Sequence, residues 1–428
     1  MRIRIAYGTR GLDVDIPDRN LAGVLSMPHT SALTDPSSSL RAMLTRPIGS
    51  APLQEIARGK KSACVVLCDV TRPVPNTLLL PPILETLAAA GIPERNTVLL
   101  IATGLHRPST PQELEVILGK ELPGRYRVVD HRARESAEQL YLGTTRRGTP
   151  VHIDRTYCQA DLKITTGFIE PHLMAGFSGG RKLIAPGCAG ETTIRALHSP
   201  SFLEDLNCRE GSLDGNPLHE ELLEIAGMAG HDFIVNVALD VEHRPTGMFA
   251  GDPLQAHAEG VRFVRQTVRA ELPEPADIVV TTSAGHPLDL TYYQAVKGMT
   301  AALPVVKPGG LLILAAECGE GLGSPEFTRM ATSFPSPAAF MESIRTNPVV
   351  IDQWQLEECA RATRHAEVIL VSEKVHHEYR DKLFVGTAAT VDEALARGFR
   401  RIGPSARVAV IPKGPYTLVE TASSRLAR

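Results

Sequence analysis

The run from Gly167 to Lys182 reads Gly-Phe-Ile-Glu-Pro-His-Leu-Met-Ala-Gly-Phe-Ser-Gly-Gly-Arg-Lys, and a further histidine, His198, follows sixteen residues later. One short stretch thus carries the imidazole of His172, the turn Ser178-Gly179-Gly180, the amine of Lys182 and then a second imidazole. Backbone N–H groups of a glycine-rich turn can hold a phosphate, and histidine supplies an acid, a base or a metal ligand near neutral pH. Together these parts suit a phosphorylated cofactor with a base on one side and a metal or nucleophile on the other. Glycine turns with one lysine also serve tight backbone packing. The Gly-Lys-Ser/Thr ending of a Walker loop is missing, because Arg181-Lys182-Leu183 follows Gly180. The dinucleotide Gly-x-Gly-x-x-Gly pattern is not matched either.

The elements that must position these groups are short aliphatic runs alternating with amphipathic stretches, the pattern of parallel sheets with crossover helices. Strands are expected at 62–68, 97–102, 161–165, 233–239, 277–282, 311–315, 367–371 and 407–411, with a first strand near the amino terminus. Helices are expected at 77–90, 217–229, 253–268 and 353–364. The fold class expected is α/β: two α/β domains with mainly parallel sheets and an active-site cleft between them. Residues 1–270 and 277–428 form the two domains, separated where Pro273 and Pro275 interrupt a helical pattern. Gly309-Gly310 and residues 319–323 read as turns. Each polar cluster follows a strand: Asp69 to Pro73, Thr103 to Pro108, Glu170 to His172, and Gly285 to Asp289 leading on to Tyr293 and Lys297. Ligands bind beyond the carboxyl ends of parallel strands.

Composition excludes several classes. Lys+Arg 45 against Asp+Glu 48 gives a net charge of -3, and with no long basic run interleaved with aromatics, nucleic acid is not an expected partner. No segment reads as a signal peptide or a membrane span, so no membrane partner is expected. Seven cysteines without a C-x-x-C pair fit a reducing cytoplasm.

Several pieces together resemble the nickel-dependent lactate racemase family: Asp-x-Thr-Arg-Pro at Asp69 to Pro73, Ala-Thr-Gly-x-His-Arg-Pro at Ala102 to Pro108, Ala-Gly-Phe-Ser-Gly-Gly-Arg-Lys at Ala175 to Lys182, His198, and Tyr-Gln-Ala-Val-Lys-Gly-Met at Tyr293 to Met299. The resemblance covers nearly the whole chain. It implies a racemase or epimerase of small 2-hydroxyacids that uses a nickel-pincer nucleotide, a pyridinium mononucleotide whose thioamide and thiocarboxylic acid sulfurs bind nickel. On this resemblance Lys182 carries the cofactor covalently and His198 is the protein's nickel ligand. Asp69, Ser178, Gly179 and Gly180 line the cofactor. His106 and His172 become paired acid/bases, each facing one side of the substrate carbon, while hydride moves to and from the cofactor through a 2-ketoacid. Gln294 and Lys297 orient the carboxylate, with Tyr293 and Trp354 beside them, and Arg72 either grips the same carboxylate or serves the cofactor phosphate. Maturation proteins that supply the cofactor are implied partners, and a homodimer is the assembly to consider.

Departures bear on the substrate. Leu173-Met174 and His286 stand where lactate racemases tend to carry aromatic side chains. An imidazole at 286 can receive a second carboxylate or a hydroxyl, which makes malate an alternative to lactate; the bland reading is that His286 points to solvent. Two other classes compete: a metal-dependent hydrolase built on His106, His172 and His198, and a ligand sensor without turnover.

Overall fold

The computed structural model describes residues 1–422. They divide into two compact units, one of His29–His198 with Asp205–Gln266, the other of Met1–Pro28 with Ser199–Glu204 and the chain from Thr267 on.

The first unit is built on a six-stranded sheet in the order Pro245–Gly251, Phe233–Leu239, Leu162–Phe168, Ala63–Cys68, Thr97–Ala102, Arg127–Asp130. All neighbours are parallel except the Pro245–Gly251 edge. The central strand Ala63–Cys68, Ala-Cys-Val-Val-Leu-Cys, is buried at every position, as a parallel strand covered on both faces must be. The chain runs outward from it through Thr97–Ala102 to Arg127–Asp130, then returns to build the other side from Leu162–Phe168. The reversal puts a topological switch point between Ala63–Cys68 and Leu162–Phe168, where open α/β sheets bind ligands.

The second unit has its own six-stranded parallel sheet, in the order Gly386–Ala388, Glu367–Val371, Val306–Ala315, Ala276–Thr282, Val408–Ile411, Leu21–Val24. One face packs Met299, Phe327, Phe340 and Leu356 against Val279 and Leu312. The other packs Ile3, Ile5, Val14 and Leu395 against Ile278 and Ile313.

The α/β class with mainly parallel sheets is therefore the fold of this chain. The N-terminal segment corrects the division at 1–270. Leu21–Val24 adds to Val408–Ile411 as an edge strand, and the apolar side chains of the Arg2–Ile5 and Leu12–Asp15 hairpin join the second unit's core. Two turn or linker expectations also change. Gly309-Gly310 lies within the strand Val306–Ala315, and Arg269–Leu272 is a strand paired with Leu418–Thr421. Among the described residues no helix is long and apolar enough to cross a membrane.

Candidate active site

Two loops leave neighbouring strands of the first unit close to the switch point. Asp69 ends the Ala63–Cys68 strand, and its Oδ2 lies 2.6 Å from Nδ1 of His106, which follows Thr97–Ala102. A carboxylate only accepts, so the neutral ring carries its proton on Nδ1 and its lone pair on Nε2. The Thr71 amide and hydroxyl also donate to Asp69 Oδ1. Burial alone would raise Asp69; the bond to His106, the charges of His106 and Arg72 and the Thr71 hydroxyl outweigh it and hold the carboxyl below its usual range. The His106 side chain is 58% exposed against 10% for Asp69, so the carboxylate is covered while the ring stays reachable by a substrate. Arg72 stands at the same strand end, its amide 3.2 Å from the Asp69 carbonyl.

His172 sits on a small hairpin, Pro171–His172 against Gly176–Phe177. Its Nδ1 accepts from the backbone N–H groups of Met174 and Ala175, both at 3.2 Å, and its Nε2 lies 2.7 Å from the Lys182 amine. The hairpin is braced from below. Asn216, fully buried, donates to the Met174 carbonyl at 2.9 Å while its Oδ1 caps the helix Pro217–Ala229. The Arg181 guanidinium donates to the carbonyls of Ala175 and Phe177, both at 3.0 Å.

The expected phosphate cradle at Ser178, Gly179 and Gly180 is corrected by where these groups point. The Ser178 amide donates to the Glu170 carbonyl, its hydroxyl to Phe168, and the Gly180 amide to Asn236 Oδ1 at 3.0 Å. Gly179 has φ +82, and a Cβ there would come within 2.4 Å of Asn236 Oδ1, a position only glycine fills. The turn is thus locked inward and serves to place Lys182 in the short 3-10 turn Gly180–Leu183. Arg181 points inward too, and burial lowers its guanidinium to about 9.

His198 ends the helix Glu191–Leu197, and its Nδ1 lies 2.8 Å from the Ile194 carbonyl. That acceptor puts the ring proton on Nδ1 and the lone pair on Nε2, the tautomer a metal ligand requires. Burial pushes His198 down to about 4 against the raising effect of the Ile194 contact, and a charge at Lys182 acts in the lowering direction. A neutral imidazole within electrostatic reach of a lysine amine fits a tethered, sulfur-ligated nickel group. Among the described residues no group of three or more His, Cys, Asp or Glu side chains could hold a metal by itself. His106, His172 and His198 are therefore not a three-histidine zinc set.

In the second unit, Thr291 caps the helix Tyr292–Ala302 by accepting from the Gln294 amide at 3.2 Å. Gln294 and Lys297 fall one turn apart on that helix, and the buried Gln294 Oε1 has no hydrogen-bond partner, as suits a group waiting for a polar ligand. The Trp354 indole donates to the Tyr293 hydroxyl at 3.0 Å, so these two expected site residues meet. His286 is exposed, in a loop whose Asp289 is buried and accepts from the amides of Gly8 and Glu317.

Three supporting residues were not read from the sequence. Asn216 braces the hairpin, Asn236 accepts from the Gly180 amide, and the buried His257 lies 2.8 Å from Arg181 Nη1. The available signal was a polar residue inside an apolar run, as in Phe-Ile-Val-Asn-Val-Ala-Leu around Asn236.

A carboxylate-backed histidine, a lysine amine and a histidine with its lone pair on Nε2 therefore stand in one unit of a two-unit α/β protein, side chains able to move protons and to hold a cofactor or metal. Residues 7–211 match the lactate racemase N-terminal domain and residues 272–419 the lactate racemase C-terminal domain. The chain is 37% identical over 424 residues to a lactate racemase of Thermoanaerobacterium thermosaccharolyticum, covering 97% of this chain and 99% of that protein. It is 35% identical to one of Lactiplantibacillus plantarum, covering 98% and 99%. The solved lactate racemase apoprotein from T. thermosaccharolyticum superposes with a TM-score of 0.93 at 35% identity, over 98% of this chain and all of that one. A Thermotoga maritima protein shares the fold, with a TM-score of 0.68 at 17% identity over 92% of this chain. The chain belongs to the lactate racemase family.

Proposed function

We propose that this chain racemises small 2-hydroxyacids, lactate first among them, using a nickel-pincer nucleotide joined to Lys182 with His198 as its nickel ligand. When bound, that group supplies a reversible acceptor for the substrate's C2 hydride, so that a 2-ketoacid stands between the enantiomers. His106 Nε2 takes the hydroxyl proton and returns it, and Asp69 stabilises the imidazolium formed meanwhile. His172 does the same from the other face. Arg72 grips the substrate carboxylate in a bidentate fashion, with Gln294 and Lys297 as further donors and Tyr293 and Trp354 as the wall beside them. His286 admits malate or another functionalised hydroxyacid as the alternative substrate. The seven cysteines are all free thiols, which supports a cytoplasmic setting, and maturation proteins that build the cofactor are the partners this reading requires.

The observation that carries the reading is the His106–Asp69 pair standing in the same unit as the Lys182 amine and the metal-type tautomer of His198, in a member of this family. Coexpression with the maturation proteins should give a mass adduct on Lys182 and protein that removes the optical rotation of either pure lactate enantiomer. An adduct mapped to Lys163, or loaded protein that leaves every enantiopure 2-hydroxyacid unchanged, would overturn it.

A further inference from the structure

Directly after the edge strand Arg127–Asp130 stands His131, its side chain 0% exposed. Both of its ring nitrogens face acceptors. Nδ1 lies 2.9 Å from Asp154 Oδ2, and Nε2 lies 2.9 Å from the Ala189 carbonyl. A neutral imidazole has one N–H and one lone pair, so beside an ionised carboxyl it would set its lone pair against an oxygen at one end. Two N–H groups satisfy both ends. A proton placed on the carboxyl would satisfy them too, but imidazole is the stronger base. Asp154 Oδ1 moreover accepts from the amides of Thr156 at 2.8 Å and Tyr157 at 3.4 Å, and hydrogen bonds to a carboxylate favour its charged form.

The acceptor at Nε2 belongs to a segment wedged between two parts of the site. Asp154 and His131 hold successive carbonyls of that segment, Cys188 through the Asp154 amide at 2.9 Å and Ala189 through the ring. Just before them, the Gly187 amide donates to the Lys182 carbonyl at 3.1 Å, and the Gly187 carbonyl accepts from the Gly104 amide at 2.9 Å. A Cβ on Gly187 would come within 2.4 Å of the Leu183 carbonyl oxygen and 2.9 Å of Ala102 Cβ, so the fit is backbone against backbone. His131 also grips the His106 side directly. Its amide donates to the Ile101 carbonyl at 3.0 Å, its carbonyl accepts from the Thr103 hydroxyl, and the His106 amide donates to the Thr103 carbonyl at 2.9 Å.

We infer that His131 is a positioning residue, held as a buried imidazolium by Asp154, that fixes the Lys182 turn against the loop carrying His106. This rests on the reading of Lys182 as the attachment point and His106 as an acid/base, and adds to it the group that sets their separation. The charge makes the grip firm, because hydrogen bonds from an ionised group are roughly twice as strong as neutral ones and a buried ion pair is costly to break from either side. The Asp154 charge also reaches the thiols of Cys64, Cys158 and Cys188. Burial is the main effect raising all three, so they stay neutral and bring no competing charge.

Nitrogen–proton NMR on apoprotein carrying ¹⁵N-labelled histidine tests the charge. His131, assigned by the loss of its signals in His131→Gln, should show two protonated ring nitrogens at pH 7. Asp154→Asn still accepts from Thr156 and can donate to Nδ1, so in that variant His131 should carry a proton on Nε2 alone; the change also assigns the signals should the Gln variant not fold. Amide hydrogen exchange tests the grip. Gly104 and Gly187 should exchange at least about tenfold faster in His131→Gln, the scale of losing one hydrogen bond to a charged group, while circular dichroism stays unchanged. In protein coexpressed with the maturation proteins, His131→Gln should keep the Lys182 adduct and lose about 10–100-fold in kcat with little change in KM. A single ring proton in the wild type, two persisting in Asp154→Asn, or exchange or kcat unmoved by His131→Gln would overturn the inference. A wild type without adduct or racemisation would instead defeat the functional reading, and the apoprotein measurements decide the state and grip of His131 independently of it.

Discussion

His106 and His172 follow two strands of one sheet, and each is a candidate for the same proton transfer, yet their rings are held in opposite senses. Behind His106 stands a buried carboxylate, 2.6 Å from Nδ1. Behind His172 stand two backbone N–H groups at 3.2 Å. The first arrangement leaves a lone pair on an exposed Nε2, suited to take a proton at once; the second puts the proton on Nε2 and turns it to Lys182. Residue type and position at a strand end thus do not define a histidine's task. The atoms behind the ring do, because they select the tautomer.

Breaking the pair at Lys182 has the largest expected effect. Lys182→Ala should abolish the cofactor adduct in an intact-mass measurement of coexpressed protein, and with it all racemisation. His106→Gln should lower racemisation in both directions by about 10²–10⁴-fold while leaving the Lys182 adduct unchanged; a parallel loss of adduct would show that the two histidines are not separate in function. Asp69→Asn should cost about 10–100-fold, the usual scale for losing a partner that orients a ligating or catalytic histidine. His198→Ala should leave the adduct but reduce nickel retained after gel filtration, as measured by mass spectrometry of the metal.

The smallest effect sharpens the comparison from the interior. His257 is buried, and desolvation together with the nearby Arg181 charge holds it well below 6.5. It stays neutral when folded but binds a proton when unfolded, so its contribution is present above about pH 6.5 and is lost as pH falls below it, by at most about 1.4 kcal/mol per pH unit. His257→Gln should flatten this acid limb in denaturant melts between pH 7 and pH 5. An unchanged pH slope would show that another group sets it.

The central strands of both sheets were legible because they must be apolar throughout, and runs such as Val-Val-Leu-Cys ending at Cys68 leave little choice, whereas the edge strands Pro245–Gly251, Arg127–Asp130, Gly386–Ala388 and Leu21–Val24 were not expected. The helix Pro217–Ala229 was legible from its apolar period. The ownership of the first 28 residues was not, since pairing of Leu21–Val24 with Val408–Ile411 joins segments nearly 400 residues apart and leaves no local pattern. At the site, the side-chain types were readable but their directions were not. Ser178, Gly179 and Gly180 read as an anion cradle, whereas the Ser178 and Gly180 amides bond inward to the Glu170 carbonyl and Asn236, and the neighbouring Arg181 donates to three carbonyls. The tautomers of His106, His172 and His198 likewise depend on partners as far off in sequence as Asp69, 37 residues from His106.

The most direct measurement is nitrogen NMR on apoprotein carrying ¹⁵N-labelled histidine, with the His106 and His172 signals assigned by their loss in the His106→Gln and His172→Gln variants. The account predicts opposite tautomers at neutral pH, a protonated Nδ1 in His106 and a protonated Nε2 in His172, and predicts that the His172 signals move when Lys182 is replaced by Ala. The same Nδ1-protonated form in both rings, or a His172 spectrum indifferent to Lys182, would contradict it.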